Sequence, residues 1–319
     1  MISVQHVSKH YGSLKAVNDI SFEVKEQENL VLLGTSGCGK TTTLKMLNRL
    51  IEPTSGQIFI NNKNILDEPA EKLRRSMGYV LQNTGLFPHY TVEENIAVVP
   101  KLLKWDKKWI NERTSELIAK LNLPEDCLKQ FPNQLSGGQQ QRIGLARALV
   151  ADPPVLLMDE PFGALDTITR TKIQNDFKAL DEFKQKTIVM VTHDVLEAFE
   201  LGDRICLMDK GQIVQLGTPQ QLLNQPASEF VTQFLNSHHL QLQFKSVTID
   251  QLWNLLLNDE ARETSDYLPS GSNIWQAMEK MRNQQLQALT IEKKDQKKTV
   301  TFEQLTAAFN QYQNRRMHE

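Results

Sequence analysis

Short apolar runs alternate with longer amphipathic stretches along the first 220 residues. Period-2 alternation over 3–7 and 20–24 predicts strands with one buried face. Continuous apolar runs predict strands buried on both faces, over 30–33, 155–158 and 188–191. Patterns typical of helices lie between them, over 40–51, 106–121, 139–151 and 166–185. Such alternation of buried strands with helices predicts an α/β domain with a largely parallel sheet.

The amino-acid composition of the chain changes near residue 240, where glutamine becomes frequent and glycine nearly disappears. We therefore predict two domains, over 1–240 and 241–319. In the second domain the pattern predicts a small α+β fold. Its expected order is a strand, a helix over 273–284, strands over 286–292 and 299–301, and a helix over 302–312.

Composition narrows the class of protein. The 319 residues carry 36 Lys and Arg against 38 Asp and Glu, a net charge of -2, which argues against a protein whose main partner is nucleic acid. Three widely spaced cysteines favour neither a disulfide framework nor a zinc cluster. No apolar run reaches the length that spans a bilayer, and the first residues do not resemble a secretory signal. We expect a soluble cytosolic protein.

A glycine-rich loop, residues 34–41, stands between the strand over 30–33 and the following helix, and it matches G-x-x-x-x-G-K-[ST]. Its glycines let successive backbone N–H groups face a phosphate, and the helix N-terminus adds positive charge. We expect Lys40 to reach the β- and γ-phosphates of ATP and Thr41 to offer its hydroxyl to Mg²⁺. The candidate nucleotide-binding residues of this phosphate loop are Gly34, Thr35, Ser36, Gly37, Cys38, Gly39, Lys40, Thr41 and Thr42.

Two acids, Asp159 and Glu160, directly follow the buried strand over 155–158. Ligands of parallel sheets collect at the carboxyl ends of strands, so both should face the phosphate loop. We expect Asp159 to hold Mg²⁺ and Glu160 to act as the general base toward water. A solvated acidic pair that merely ends a strand is the alternative.

A second anion site is predicted at Leu135-Ser136-Gly137-Gly138-Gln139, the signature segment, which precedes a strong helix. A plain N-cap turn would explain the glycine pair equally well. These five residues, however, resemble the signature of the ATP-binding-cassette (ABC) ATPases. The resemblance covers about the first 240 residues, and its motifs fall in family order.

The resemblance implies an ABC-type P-loop NTPase fold, with a RecA-like parallel-sheet core, an antiparallel β subdomain and a helical subdomain. It implies that Tyr11 stacks on adenine and that Gln82 contacts Mg²⁺ and senses a membrane partner. It also places Asp166 in the loop that communicates between subunits and His193 against the γ-phosphate. Glu160, His193 and Gln82 are the implied catalytic residues, and Thr41, Gln82 and Asp159 the implied metal ligands.

Family resemblance further implies a head-to-tail homodimer. Each ATP would lie between the phosphate loop of one copy and Ser136, Gly137, Gly138 and Gln139 of the other. Bound γ-phosphate then favours closure of the dimer, and hydrolysis removes that preference.

The segment after Gln82, which we call the coupling segment (residues 83–96), bears on what the ATPase drives. Its apolar residues surround a proline turn, and Thr91 with Glu94 predicts a capping box. An ordinary loop into a helix is one interpretation. The segment also resembles the groove in which importer ATPases receive a coupling helix of the permease. The sequence carries no long coiled coil, zinc cysteines or second cassette, which disfavours the DNA-repair, chromosome and translation relatives.

Within importers, residues 77–89 resemble the ATPases for quaternary-amine osmoprotectants: glycine betaine, carnitine and choline. Importers of polyamines, amino acids or sugars remain alternatives, and a non-transport cytosolic ABC ATPase is the other class. The implied partners are a transmembrane permease and, indirectly, a substrate-binding protein or domain, with no nucleic acid. The implied location is the cytoplasmic face of the cell membrane.

The osmoprotectant branch often ends in paired cystathionine-β-synthase (CBS) modules, and residues 241–319 suffice for little more than one. The adenosine-binding pattern G-x-x-T-x-x-D is degenerate here, because Lys298 and Gln304 replace its Gly and Asp. We expect a regulatory or dimer-reinforcing domain that resembles a single CBS module. Four lysines, at 293, 294, 297 and 298, indicate a solvated hairpin tip; a patch that senses a lipid surface or ionic strength is the alternative.

Overall fold

The computed structural model describes residues 1–257, 266–294 and 296–317. The chain divides into two compact units, residues 1–231 and 232–319. Within the described ranges, no helix has both the length and the apolar content needed to cross a bilayer.

The first unit, all of which the structure describes, contains mixed strands and helices. Its strands are β1 (Ile2–Tyr11), β2 (Leu14–Val24), β3 (Asn29–Gly34), β4 (Ser55–Ile60), β5 (Lys63–Asn64), β6 (Met77–Val80), β7 (Val155–Asp159), β8 (Thr187–Val191), β9 (Arg204–Asp209) and β10 (Gln212–Gly217). Its helices are α1 (Lys40–Leu47), α2 (Ala70–Arg75), α3 (Val92–Ile96), α4 (Val98–Leu102), α5 (Lys107–Lys120), α6 (Gly137–Leu149), α7 (Thr167–Ala179), α8 (Asp181–Lys184), α9 (Val195–Leu201) and α10 (Pro219–Asn224), and α11 (Glu229–Asn236) begins here.

Two sheets organise the first unit. One has the order β10-β9-β3-β8-β7-β6 and is parallel except for the antiparallel pair β9–β10. The other is antiparallel, in the order β2-β1-β4-β5. Strands β3, β7 and β8 are apolar and buried along almost their whole length, as expected of strands that are covered on both faces. The predicted α/β class and the largely parallel sheet are confirmed.

Register brings the ends of the parallel strands together. Leu32 of β3 pairs with Val191 of β8, and Asp159 of β7 pairs with the same Val191. The loops that follow β3, β7 and β8 therefore leave the same edge of the sheet. All three carry residues predicted to handle phosphate or metal, so this edge positions the candidate site.

Two predicted helices differ from the structure. Helix α1 ends at Leu47 rather than near 51, because Arg49 takes a left-handed φ of 54° and the Asn48 side chain accepts a hydrogen bond from the N–H of Leu50 (3.1 Å). The helix predicted over 166–185 is two helices, broken at an extended Leu180. In a continuous helix the side chains of Phe177 and Phe183 would point about 120° apart around the helix axis. The break lets both rings enter the core, where their centroids lie 3.8 Å apart.

The second unit packs helices against a small mixed sheet. Its elements are α12 (His239–Ser246), α13 (Ile249–Leu252), β11 (Tyr267–Pro269), α14 (Ile274–Asn283), β12 (Ala288–Lys293), β13 (Gln296–Thr301) and α15 (Phe302–Met317). Strands β11 and β12 are parallel, and β12 and β13 are antiparallel. The predicted order of strands and helices is confirmed; resemblance to a CBS module stays a prediction.

Contacts in the second unit bear on two sequence-based expectations. Gln304 forms a capping box with Thr301 at the start of α15, in which the Gln304 side-chain oxygen accepts a hydrogen bond from the N–H of Thr301. The Lys293 ammonium lies 2.8 Å from Asp250, and Lys298 donates to the carbonyl oxygens of Trp253 and Leu256. The Lys297 ammonium lies 3.7 Å from Glu292 and 4.6 Å from the centre of the Tyr267 ring. Three of the four lysines thus have partners within the fold, which weakens the interpretation of this hairpin as a lipid-facing patch.

Candidate nucleotide-binding and hydrolysis site

The phosphate loop owes its shape to glycines at two close approaches. A Cβ on Gly34 would collide with the carbonyl oxygen of Met208 on β9, and a Cβ on Gly39 would collide with that of Ala16 on β2. Gly39 also has a φ of 105°, which other residues rarely adopt. The loop can therefore lie against both strands only with glycine at these positions.

Lys40 is folded back into the loop. It is 6% exposed, and its ammonium donates hydrogen bonds to the carbonyl oxygens of Gly34 and Thr35, both at 2.8 Å. The loop thus holds a buried cation beside its own backbone N–H groups. That arrangement favours an anion with several oxygen atoms, such as a polyphosphate.

The end of β7 meets the start of α1. The Thr41 hydroxyl donates to the Asp159 carboxylate at 2.9 Å, and Asp159 is 5% exposed. Burial raises the pKa of Asp159 above its ordinary value, and the Thr41 hydrogen bond and the charges of Lys45 and Lys40 oppose the rise. A hydroxyl and a carboxylate oxygen held this close are the hard ligands that Mg²⁺ prefers, so the residues present fit this ion.

Glu160 follows with a left-handed φ of 46°. This conformation places its carboxylate between two side chains from different loops. The Gln82 amide donates to one oxygen at 2.9 Å, and His193 Nδ1 lies 3.2 Å from the other. Residues 78 and 33 positions away in sequence therefore converge on a single acid, which suits that acid to orienting a water molecule.

Most of these groups line a single cavity of about 490 Å³. The volume is within the range of small-molecule sites. Its lining residues are Ala16, Ser36, Gly37, Cys38, Gly39, Lys40, Thr41, Thr42, Gln82, Glu160 and His193. Asp159 reaches the cavity through its bond to Thr41. Ala16 was not predicted from the sequence, since an alanine in a strand carries no recognisable signal.

Several predicted residues lie outside the cavity lining. Ser136 caps α6 in a capping box with Gln139, as the sequence pattern S-x-x-Q indicates. Asp166 caps α7 by accepting from the N–H of Thr169. Tyr11 is 49% exposed. None of the residues 136–139 lines this cavity, so in a single chain the signature segment does not touch the predicted ATP site.

Arg147, which the sequence analysis missed, connects α6 to the coupling segment. Its guanidinium donates to the carbonyl oxygens of Thr84 and Gly85, both at 2.7 Å, and lies 5.9 Å from the centre of the Phe87 ring. Burial lowers the pKa of this guanidinium. The helix that begins at the signature segment is thereby tied to the loop that carries Gln82. The sequence signal that could have identified Arg147 is its position as a charged residue among the apolar residues at the end of α6.

Asn95 is a second structural residue of the coupling segment. It is fully buried, its amide oxygen accepts from the N–H of Phe87, and its Nδ2 lies 3.0–3.1 Å from the carbonyl oxygens of Phe87, Tyr90 and Thr91. The predicted capping box of Thr91 and Glu94 is also present. The turn before α3 is therefore held by side-chain bonds to its backbone.

Comparison with known proteins agrees with this geometry. Residues 17–163 match the model of the ABC transporter family. The glycine betaine/carnitine/choline transport ATP-binding protein OpuCA of Bacillus subtilis is 46% identical over 293 residues, which are 91% of this chain and 75% of that protein. The glycine betaine uptake system ATP-binding protein YehX of Escherichia coli is 50% identical over 247 residues, 77% of this chain and 80% of that protein.

A solved structure extends the comparison to the fold. The dimeric structure of MJ0796, described as a bacterial ABC transporter cassette, is similar with a TM-score of 0.62 and 36% identity, over 68% of this chain and 98% of that one. Its coverage corresponds in length to the first unit. The ABC-type fold expected from the motifs is confirmed. The chain belongs to the family of ABC transporter ATP-binding subunits, and it is an ATPase.

Proposed function

We propose that this ATPase energises the import of a quaternary-amine osmoprotectant of the glycine betaine, carnitine and choline type. The supporting observation is the breadth of the similarity: 91% of the chain aligns with a relative named for transport of all three solutes, at 46% identity. No side chain of the site described above selects a solute. Selection would therefore reside in a separate permease and in a substrate-binding protein or domain.

The proposed membrane partner docks on the coupling segment, at the cytoplasmic face of the membrane. Phe87 and Tyr90 are 47% and 45% exposed although both are aromatic, and their ring centres lie 5.3 Å apart. Asn95 fixes the turn that presents them. Exposed rings on a fixed turn suit a short helix of a permease, and Arg147 beneath them offers a route to the signature helix.

For the chemistry, we propose that Lys40 and the loop N–H groups bind the phosphates of ATP and that Glu160 accepts a proton from the attacking water. Gln82 and His193 would orient that carboxylate and the terminal phosphate. Thr41 and Asp159, with Gln82, would hold Mg²⁺, which supplies charge neutralisation to the phosphates. Tyr11 would stack on the adenine, and Asp166 would contact the second subunit.

We further propose a head-to-tail homodimer, in which Ser136, Gly137, Gly138 and Gln139 of one copy complete the ATP site of the other. Two observations support it. The signature segment presents a helix N-terminus but does not line the cavity of its own chain. The similar MJ0796 cassette is described as dimeric.

The transport proposal is tested with proteoliposomes that contain the ATPase and a permease with which it copurifies. We expect ATP-dependent accumulation of radiolabelled glycine betaine, carnitine or choline, and none of spermidine or maltose. Vesicles that carry the Glu160→Gln variant are the control for coupling to hydrolysis. Accumulation of spermidine or maltose, with no quaternary amine transported, would contradict the proposed solute class.

Replacing Ser136 with alanine tests the dimer. Loss of the helix cap alone costs about 1 kcal/mol of stability. We expect ATP hydrolysis to fall by roughly tenfold or more, since a hydroxyl on the phosphates of the partner's ATP is also lost. ATP affinity of the dilute monomer should not change, as measured by fluorescence of a nucleotide analogue.

Thr218→Ala is the matched control for Ser136→Ala, because Thr218 caps α10 in the same kind of capping box away from the site. It should lower stability similarly and leave hydrolysis unchanged. Equal activity of both variants, together with wild-type turnover strictly proportional to concentration down to nanomolar protein, would oppose the dimer.

Replacing Arg147 with lysine should uncouple transport from hydrolysis. A lysine ammonium lacks the planar fork that bonds the carbonyl oxygens of Thr84 and Gly85 together. We expect unchanged ATP affinity, with transported solute per ATP lowered by about twofold or more. Arg142→Lys is the control, because Arg142 lies on the same helix but bonds Asp176 of α7 at 2.7 Å. Identical coupling ratios in the two variants would remove the proposed role of Arg147.

We propose that the second unit is a regulatory or dimer-reinforcing domain, with the fold of a single CBS-like module. Supporting this, its elements follow the predicted order, and it is a compact unit apart from the one that contains the catalytic motifs.

A further inference from the structure

The second unit contains a cavity of about 570 Å³, bounded by α12, α14 and the first turn of α15. Three aromatic side chains line it: Phe244, Trp275 and Phe302. Phe302 is 51% exposed, and Trp275 is half-buried, so neither residue is fully buried in the core. Phe244 is fixed by an edge-on contact with Phe309, with ring centres 4.7 Å apart. Trp275 and Phe302 therefore leave part of their ring surface free to contact a ligand.

Charges of both signs line the same cavity. Trp275, Glu279 and Arg282 follow one another at spacings of four and three residues on α14, which places them on one face of the helix. Among the residues that the structure describes, neither Glu279 nor Arg282 has an ion-pair partner. One carboxylate and one guanidinium are thus available to a ligand that enters between the rings.

We propose that this cavity binds a small quaternary amine and prefers one that also carries a carboxylate. Aromatic faces attract a quaternary ammonium group, which cannot donate a hydrogen bond and is weakly hydrated. Glu279 complements the positive end of such a ligand, and Arg282 can bind a carboxylate with two parallel hydrogen bonds. This inference rests on the proposed function. The ATPase subunit would bind, on the side of the membrane where ATP is hydrolysed, the class of solute whose import it energises.

A nucleotide suits this cavity less well. A single guanidinium opposed by a carboxylate gives no net positive charge for a polyphosphate. Gln304, at the position where the degenerate motif would need an acid for ribose, is engaged in the capping box of α15. The local charges therefore favour a ligand that is neutral overall and has separated poles.

Isothermal titration of the full-length chain with glycine betaine, choline and 3,3-dimethylbutan-1-ol tests the proposal. The last compound is the uncharged carbon analogue of choline. We expect saturable binding of glycine betaine, weaker but saturable binding of choline, and markedly weaker binding still of the alcohol. Trp275→Leu should weaken both amines by about tenfold, whereas Trp275→Phe should retain most of the affinity. Arg282→Gln should weaken the binding of glycine betaine but not that of choline, because choline has no carboxylate for the guanidinium to bind.

Trp109→Leu, which changes an equally large ring that is 67% exposed on α5, is the matched control and should bind like the wild type. Absence of saturable binding, equal affinity for the uncharged analogue, or an Arg282→Gln effect equal for both amines would overturn the proposal. Import of quaternary amines by the reconstituted transporter without binding to this chain would refute the cavity alone. Binding without any such import would refute the proposed transport function alone.

Discussion

Glu160→Gln is expected to abolish ATP hydrolysis while it leaves ATP binding intact. The amide has nearly the shape of the carboxylate but cannot accept the proton of the attacking water. General-base catalysis contributes about 10²–10⁴-fold, so turnover should fall at least about 100-fold. Because Lys40 and the loop N–H groups are untouched, the nucleotide should stay bound, and the proposed dimer should accumulate in its closed form. Phosphate release and gel filtration with ATP measure the two effects.

The exposed Glu26→Gln variant is the control for this experiment, since it makes the same chemical change in the turn between β2 and β3. It should behave as the wild type in both measurements. Hydrolysis by Glu160→Gln at the wild-type rate would show that another group accepts the proton. Hydrolysis lost without any ATP-dependent dimer would separate the catalytic role of Glu160 from the dimer proposal.

Lys40→Ala should weaken ATP binding itself. In the structure the Lys40 ammonium bonds two carbonyl oxygens of its own loop, and phosphate oxygens would replace these partners. Hydrogen bonds to a charged group contribute about 1.5–3 kcal/mol. Loss of the ammonium should therefore weaken ATP binding by roughly 10- to 100-fold, with hydrolysis falling at least as far. Equilibrium titration with a fluorescent ATP analogue measures the affinity.

Lys63→Ala, an exposed lysine on β5, is the control for loss of positive charge and should bind ATP normally. Lys40→Arg keeps the charge but not the compact head group, so an intermediate affinity is expected. Unchanged affinity in Lys40→Ala would mean that the loop N–H groups alone account for binding.

Local patterns predicted the phosphate loop, the capping box of Thr91 with Glu94 and the buried strands, because each depends on residues close together in sequence. The loop required glycine at 34 and 39, where strands β9 and β2 pass too near for a side chain. The capping box at Thr91 follows from a hydroxyl and an acid three residues apart. At Ser136 the sequence predicted an anion site or a plain N-cap turn, and the structure shows a capping box with Gln139.

Features that depend on distant contacts were not predictable from one sequence. The break of the helix at Leu180 serves the packing of Phe177 on Phe183. The bonds of Arg147 to Thr84 and Gly85 span more than 60 residues. Gln82 and His193 were expected to act at the site through family resemblance, but their meeting on one carboxylate depends on the register of β6, β7 and β8. Sequence spacing carries no information on such register.

The left-handed backbone conformation of Glu160 lowers the stability of the fold at the position where the proposed general base is needed. An L-residue with a side chain loses about 1 kcal/mol or more in this conformation, which glycine adopts freely. Random mutagenesis followed by selection for stability alone would therefore tend to replace Glu160 with glycine. A chain optimised only for thermal resistance would drift toward an inert nucleotide binder, so directed evolution of this protein must select for turnover as well as for heat tolerance.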